Sequence, residues 1–334
     1  MKRVSYSIVG GVLLVGVASV GIAGQTPIRA RGPAGATAAA AAVKGPAQLR
    51  TPWGEPDLQG TWTYKTITPL ERPAEFAGKE FLTDADVAQV EKRAAGNNTD
   101  DRPKDAARDV ATAYNDFWWD RGDKVVKSHR SSLIIDPPDG RIPPVTADGR
   151  ARLAARAAAM ARDAWGPEDR SQFERCVSRG IPRMPGGYNQ NLQIFQTPGY
   201  VVILYEMMRE ARIVPVDGRP HVSKDVRQWL GDSRGRWDDD TLVVETTNFN
   251  RQHEFRGASE HLRLIERFKR ADAGTIDYQF TAEDPSTWTE PWTAAIPLNR
   301  TNDQIYEYAC HEGNYGMPNL LRSARAVDKR KDSN

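Results

Sequence analysis

From residue 188 to residue 311, short apolar stretches follow one another, each closed by turn chemistry. That pattern commits the chain to an antiparallel β structure. The stretches 192–197 and 200–208 flank Pro198-Gly199, 211–216 ends at Asp217-Gly218, and 235–237 meets 241–249 across an acidic turn. Further strands are predicted over 261–270, 275–282, 288–298 and 304–310. Short strands with regular turns make a meander that closes into a barrel or sandwich, rather than the helix-linked units of a parallel sheet. The fold class expected is mainly β with added helices.

The decoration precedes the meander. A first strand is read over 58–64, and another over 132–136, stopped by Pro137-Pro138-Asp139-Gly140. A short helix over 83–95 opens on Thr83 with Asp86 three residues later, a capping-box spacing. The Arg- and Ala-rich run 150–162 reads as a solvated helix starting after Asp148 as N-cap. Residues 97–109 form a polar excursion. The aromatic cluster Tyr114, Phe117, Trp118 and Trp119 reads as a cover for a core.

At the N-terminus, Lys2 and Arg3 precede an apolar, glycine-rich run over 9–22 and small residues to Gly24. This is the layout of an export signal over 1–24, with cleavage near Ala23 to Gln25 and a periplasmic or secreted destination. The apolar run is shorter than the ~20 residues of a spanning helix, and no later segment is long and apolar enough, so no stable membrane span is expected in the mature chain. Residues 25–50, rich in Ala, Gly and Pro, read as a disordered linker, 51–325 as a single β-rich domain, and 326–334 as a disordered tail. The whole chain has 46 basic and 44 acidic residues, and the leader carries two of the basic ones and none of the acidic. The mature chain is then formally neutral, which argues against a nucleic-acid partner. Oligomeric state is left open.

Two cysteines, Cys176 and Cys310, in an exported chain favour a disulfide between them. Two buried thiols, or a metal site using Cys310 with His311, are the rivals. Neighbours on a strand point to opposite faces, which counts against joint ligation. There is no His-x-x-x-His or Cys-x-x-Cys spacing, so a metal would need scattered ligands such as His221, His261 and His311. No metal and no organic cofactor is expected.

Four segments carry a resemblance: the run 53–62 (Trp-Gly-Glu-Pro-Asp-Leu-Gln-Gly-Thr-Trp), 135–144 around Asp136-Pro137-Pro138-Asp139-Gly140, 229–237 (Trp-Leu-Gly-Asp-Ser-Arg-Gly-Arg-Trp), and the ending Cys310-His311-Glu312-Gly313. Together they resemble a family of uncharacterised exported bacterial proteins, with a likeness that spans about 53–325. The resemblance implies export and supplies no activity, ligand or catalytic residue. Gly60-Thr61-Trp62 is also similar to the Gly-x-Trp of lipocalin and calycin barrels, whose fold implies a ligand-holding barrel.

Strand alternation singles out three acids. Glu266 shares a face with Leu262, Leu264 and Phe268; Glu206 with Tyr200, Val202, Leu204 and Met208; Glu290 with Trp288, Trp292, Ala294 and Ile296. A carboxylate on an apolar face is either neutralised by an arginine such as Arg209, Arg212 or Arg234, or held for acid/base work. Glu206 and Glu266 are expected to face inward near one another. His311, in a loop with Glu312 and Gly313, is the candidate partner. Gly231-Asp232-Ser233-Arg234-Gly235 matches a nucleophile elbow in letters, but a strand rather than a helix follows, so Ser233 is read as a turn residue. The favoured function is binding of a small apolar or aromatic ligand in a barrel-like cavity, with Tyr205, Trp237, Glu290 and Trp292 as ligand-binding candidates. The alternative is a cofactor-independent hydrolase or lyase using Glu206, Glu266 and His311.

Overall fold

The computed structural model describes residues 49–97 and 122–332. The expected leader, nearly all of the linker, the polar excursion beyond residue 97 and the aromatic cluster around Trp118 lie outside the described residues. The strands are β1 Gly60–Thr63, β2 Ile134–Asp136, β3 Asn191–Thr197, β4 Tyr200–Tyr205, β5 Ala211–Pro215, β6 Asp232–Asp238, β7 Thr241–Thr247, β8 Arg263–Arg270, β9 Thr275–Glu283, β10 Trp292–Ala295 and β11 Leu298–Arg300. Three helices accompany them among the described residues: α1 Asp84–Asn97, α2 Ala147–Ala161 and α3 Gly316–Asp332.

Nine strands run in the order β5-β4-β3-β1-β11-β9-β8-β7-β6 and curl into a nearly closed barrel. Two meanders, β3-β4-β5 and β6-β7-β8-β9, are joined through β1 and β11, while β10 leaves this path to pair with β9 and β2. The open seam lies between β5 and β6, which share no ladder. Their edges still touch: a Cβ at Gly235 would sit 2.7 Å from Val216 Cγ1 and 2.9 Å from Val214 Cγ1, so only glycine permits this approach. The register gives the barrel two unlike ends. Tight turns after Thr197, Asp238 and Arg270 close one. The other, the mouth, carries the longer connections after Thr247 and before Asn191.

Alternation holds where one face is plainly polar. Leu264, Glu266 and Phe268 of β8 point inward, as do Ile276, Tyr278, Phe280 and Ala282 of β9. On β4 it fails: Val201, Ile203 and Tyr205 are the inward residues, and the set with Val202 and Leu204 lies on the outside. The reason is visible in the register, where Phe195, Val202 and Ile213 line up on the outer face, with Phe195 42% and Ile213 61% exposed. Both faces of that hairpin are apolar, so periodicity could not choose between them.

Four boundaries are also corrected. The segment expected as a strand over 304–310 has no ladder; its Tyr306 N–H is taken by Glu206 Oε1 at 3.3 Å instead. The stretch 288–298 is broken by a turn through Pro291 and yields only β10 and the start of β11. The tail expected to lack structure from 326 is the second half of α3. Helix α2 has its N-cap two residues earlier than expected, at Thr146, whose hydroxyl accepts from Gly149 N. Helix α1 keeps the expected capping box: Asp86 Oδ2 accepts from Thr83 N at 3.0 Å and Thr83 Oγ1 from Asp86 N at 3.2 Å.

Candidate functional site

The three acids and His311 do not share a site. Glu266 is fully buried in the barrel. Tyr278 donates its hydroxyl proton to Glu266 Oε1 at 2.9 Å, and Arg212 Nη2 lies 2.5 Å from Oε2. That second contact is off the line of a hydrogen bond and acts as an ion pair. Arg212 belongs to β5, and the same guanidinium donates from Nε to Ser233 Oγ on β6 at 2.9 Å and from Nη2 to Thr246 Oγ1 on β7 at 2.6 Å. One side chain thus reaches from one edge of the seam to the other three strands, in place of the absent ladder. Burial works against the Arg212 charge, but the Glu266 carboxylate outweighs it and raises the pKa above the usual arginine value. Burial first, then Glu266, pushes Tyr278 well above an ordinary phenol. The Glu266 carboxylate is neutralised by the arginine, which is the structural alternative.

Glu206 does not join it. Its Oε2 accepts from Asn191 N at 3.2 Å and its Oε1 from Tyr306 N, so it buckles the segment after Arg300 onto the end of β4. His311 is exposed, in the turn that follows that segment. Glu290 is exposed in the turn between Trp288 and Trp292, which is why counting alternation through it failed. Trp292 is fully buried, and Trp237 is half-buried at the closed end of β6. Tyr205 faces inward beneath the Arg183 guanidinium, 4.5 Å from its ring centre. Ser233 sits within β6, strand to strand, with its hydroxyl engaged by Arg212 and Thr246. Cys176 and Cys310 form a disulfide across 134 residues, Cα to Cα 5.6 Å. No group of three His, Cys, Asp or Glu among the described residues is arranged to hold a metal ion.

The inward-facing side chains leave little room where the sequence places a ligand. Between Tyr64, Arg183, Leu192, Tyr205, Phe268, Tyr278 and Leu298 only about 10 Å³ is open. That is the room of at most one water, ~10–15 Å³. Space lies outside, over the mouth, where a cleft of about 1060 Å³ separates the segment 172–190 from the connection 249–257. A lesser hollow of about 370 Å³ adjoins it through Met184, Pro185, Gly186 and Arg256.

The cleft is lined on one side by an aromatic cluster that the fold builds for its own core. Phe255 stacks on Trp292 at 5.8 Å, Trp288 meets Trp292 edge-on at 5.6 Å, and Phe280 closes the group at 5.4 Å from Trp292. Phe255 and Trp288 line the cleft, joined by Phe173, Tyr188, Trp229 and Phe249. Such contacts are worth ~0.5–1.5 kcal/mol per pair beyond burial, so this wall is preformed.

His253 is the group that sequence reading missed. It lines the cleft, is 7% exposed, and lies tilted against the Phe249 ring, centres 5.0 Å apart. Its Nε2 is 2.8 Å from Ser259 O, so that nitrogen carries the proton. No described residue bonds Nδ1. Burial lowers its pKa below the ordinary value of 6.5, although the Ser259 carbonyl and Asp284 favour the charged form. Asp284 in turn fixes Ser259, accepting its N–H at 2.6 Å and the Thr287 hydroxyl at 2.6 Å. Burial opposes the Asp284 charge, but these donors and Ser286 hold its pKa below the usual carboxylate range. A lone histidine between strands β7 and β8 has no motif around it; only the fold brings it to a cleft.

Comparison with protein-family models, with curated proteins and with solved structures finds no match to this chain.

Proposed function

We propose that this chain is an exported ligand-binding protein that takes a small apolar or aromatic ligand in the mouth cleft. The observation that carries the reading is the cleft itself, about 1060 Å³ and presenting the half-buried rings of Phe173, Tyr188, Trp229 and Phe255. Ligand sites usually span ~300–1,000 Å³ and are lined mainly by apolar and aromatic groups with a few polar ones. Export is supported by the N-terminal pattern of Lys2, Arg3 and an apolar run, and by a disulfide, which persists in oxidising compartments. The family resemblance read from the sequence points the same way.

The test is a titration of the protein with 2-naphthoate and with its uncharged analogue 2-naphthamide, followed by tryptophan fluorescence. Binding of at least one, lost on Gly186→Phe, supports the reading. A Cβ at Gly186 meets nothing closer than 3.9 Å, so the fold tolerates the plug. Binding that survives the plug, or no binding by either probe, refutes the cleft as the site. N-terminal sequencing of the secreted chain tests export, with a start near Gln25 expected and Met1 retained counting against it.

A second reading has one observation in its favour, the Nδ1 of His253. A neutral imidazole with one nitrogen locked and the other unbonded is equipped to accept a proton, which suits a hydrolase or lyase working without a cofactor. Hydrolysis of 2-naphthyl acetate that falls with His253→Gln supports turnover; equal rates in both proteins dismiss it.

A further inference from the structure

The charges around the cleft are unevenly paired. Of its carboxylates, Glu254 is tied to Arg156 and accepts from Gln172 N at 3.1 Å, while Glu71 accepts from Ile142 N at 3.1 Å and has no cation beside it. Of its guanidiniums, Arg256 has no hydrogen bond or ion pair to any described residue. Arg179 rests its guanidinium on the Phe173 face at 5.3 Å, and Glu210 Oε2 takes its backbone N–H at 3.0 Å; among the described residues no carboxylate pairs with the guanidinium itself. Arg183 lines the floor, and its side chain is 4% exposed. Its Nη2 is held by Glu210, yet its Nε and Nη1 have no acceptor.

Arg130, Arg152, Arg162 and Arg212 each leave one buried guanidinium nitrogen without a partner, but Arg183 alone among the described arginines leaves two. Buried donors are normally satisfied, so a double exception calls for a cause. Beside a cleft with two further unpaired guanidiniums, the cause indicated is an acceptor that arrives with the ligand. We infer that the ligand is an anion, a compact aromatic or apolar carboxylate. Its charge is met by Arg183 from the floor and by Arg256 and Arg179 from the rim, while its ring lies along Phe255. Glu71 is the one opposing charge and leaves the balance positive. Arg256 bears a second mark of selection for position. Its φ is +51°, a left-handed conformation that costs a branched or long side chain strain. The neighbouring Gly257 is also in the left-handed region, at φ +78°, which favours glycine. The loop therefore presents Arg256 at the cleft at a cost the core does not require.

This inference rests on the cleft being the binding site, and the two fail in different ways. At neutral pH and low salt, 2-naphthoate should bind about tenfold or more tightly than 2-naphthamide, the discrimination expected of charge-assisted hydrogen bonds. Arg256→Gln should cut that ratio by about threefold or more and steepen no salt dependence, since exposed charges act through a screened field. Arg183→Gln alone strands Glu210 and risks misfolding. The paired change Arg183→Gln with Glu210→Gln removes both charges together and should likewise cut the ratio by about threefold or more. Equal binding of the two probes overturns the anion inference and leaves the cleft reading intact. A naphthoate preference untouched by either variant overturns the assignment to these arginines. Absence of binding by both probes overturns the cleft reading itself.

Discussion

The barrel interior and the mouth cleft are built from the same residue types, arginine, glutamate and aromatic rings, and they do opposite things with them. Inside, Arg212 and Glu266 are brought together with Tyr278, Ser233 and Thr246, and about 10 Å³ is left open. Over the mouth, the guanidiniums of Arg256 and Arg179 form no ion pair with any described residue, and about 1060 Å³ is open. Pairing and space, rather than residue type, separate a structural knot from a site. The contrast also has a backbone origin. The interior is walled by ladders and completed by a side-chain stitch across the seam, whereas the cleft is walled by connections that owe their shape to packing, a disulfide and Glu206.

The sharpest way to break this comparison is Glu266→Gln. It strands the Arg212 charge in the barrel, and loss of one partner of a buried pair costs about 3–5 kcal/mol. Chemical denaturation should show that loss, while naphthoate affinity at temperatures where the variant stays folded should not change. Replacing both partners by apolar residues, Arg212→Met with Glu266→Leu, should restore most of the stability, since a well-packed substitute for a buried pair is often neutral. If Glu266→Gln instead abolishes binding without unfolding the protein, the knot is part of the site and the comparison falls.

The disulfide tests the other half. Cys176 lies beside Phe173 and Ser178 in the cleft wall, and Cys310 ends the segment that Glu206 buckles down. Replacing both cysteines by serine should lower stability by about 2–4 kcal/mol, the usual range for a disulfide, and the effect should be local. Hydrogen exchange is expected to accelerate over 172–187 and 301–315 while β7, β8 and β9 keep their protection. Uniform loss of protection would mean that cleft and barrel form one cooperative unit.

These two regions were unequally legible in the sequence. Glu266 could be placed because β8 alternates cleanly, with Arg263, Arg267 and Lys269 outside, and Arg212 was among its candidate partners. The disulfide followed from two cysteines in a chain expected to be exported. Glu206 was misplaced because Tyr200–Tyr205 is apolar on both faces and the chain turns immediately after it. Glu290 was misplaced because a single break at Pro291 resets the count. The cleft left almost no local trace: its walls come from residues near 64, 142, 180, 229, 253 and 288, and no periodicity links them. His253 and Arg256, in the connection after β7, matter through where the barrel mouth puts them. Alternation points to the barrel interior as the place for a ligand, and the same inward side chains that make the pattern readable crowd that space.

A smaller effect should separate His253 from the interior groups by pH. Its neutral form is favoured in the fold by burial, against Ser259 and Asp284 and with the Arg152 charge helping. A histidine whose folded pKa lies below its unfolded value of 6.5 binds fewer protons in the native state than in the unfolded one as pH falls. Its contribution is therefore fully present above that value and is lost as pH drops below it. Stability measured from pH 8 to pH 5 should decline on the acid side, and His253→Gln, which keeps a donor for the Ser259 carbonyl, should flatten that part of the curve. An unchanged slope in the variant would place the proton uptake elsewhere.

The smallest expected effect is the most discriminating, because its sign differs between stability and binding. Arg256 is exposed, makes no hydrogen bond or ion pair to any described residue, and holds φ at +51°. A left-handed conformation costs an L-residue about 1–2 kcal/mol, and glycine adopts it freely at an entropic cost of its own of about 0.5–1 kcal/mol. Arg256→Gly should therefore leave the protein as stable as before or raise its stability by up to about 1 kcal/mol. The same change removes the rim cation, so naphthoate should lose affinity while naphthamide should not. A residue held in place for the fold would show the reverse, a loss of stability with binding intact. Should Arg256→Gly destabilise the protein and spare the naphthoate preference, the strained loop serves the barrel, and the line drawn here between a paired interior and an unpaired cleft would have to be moved.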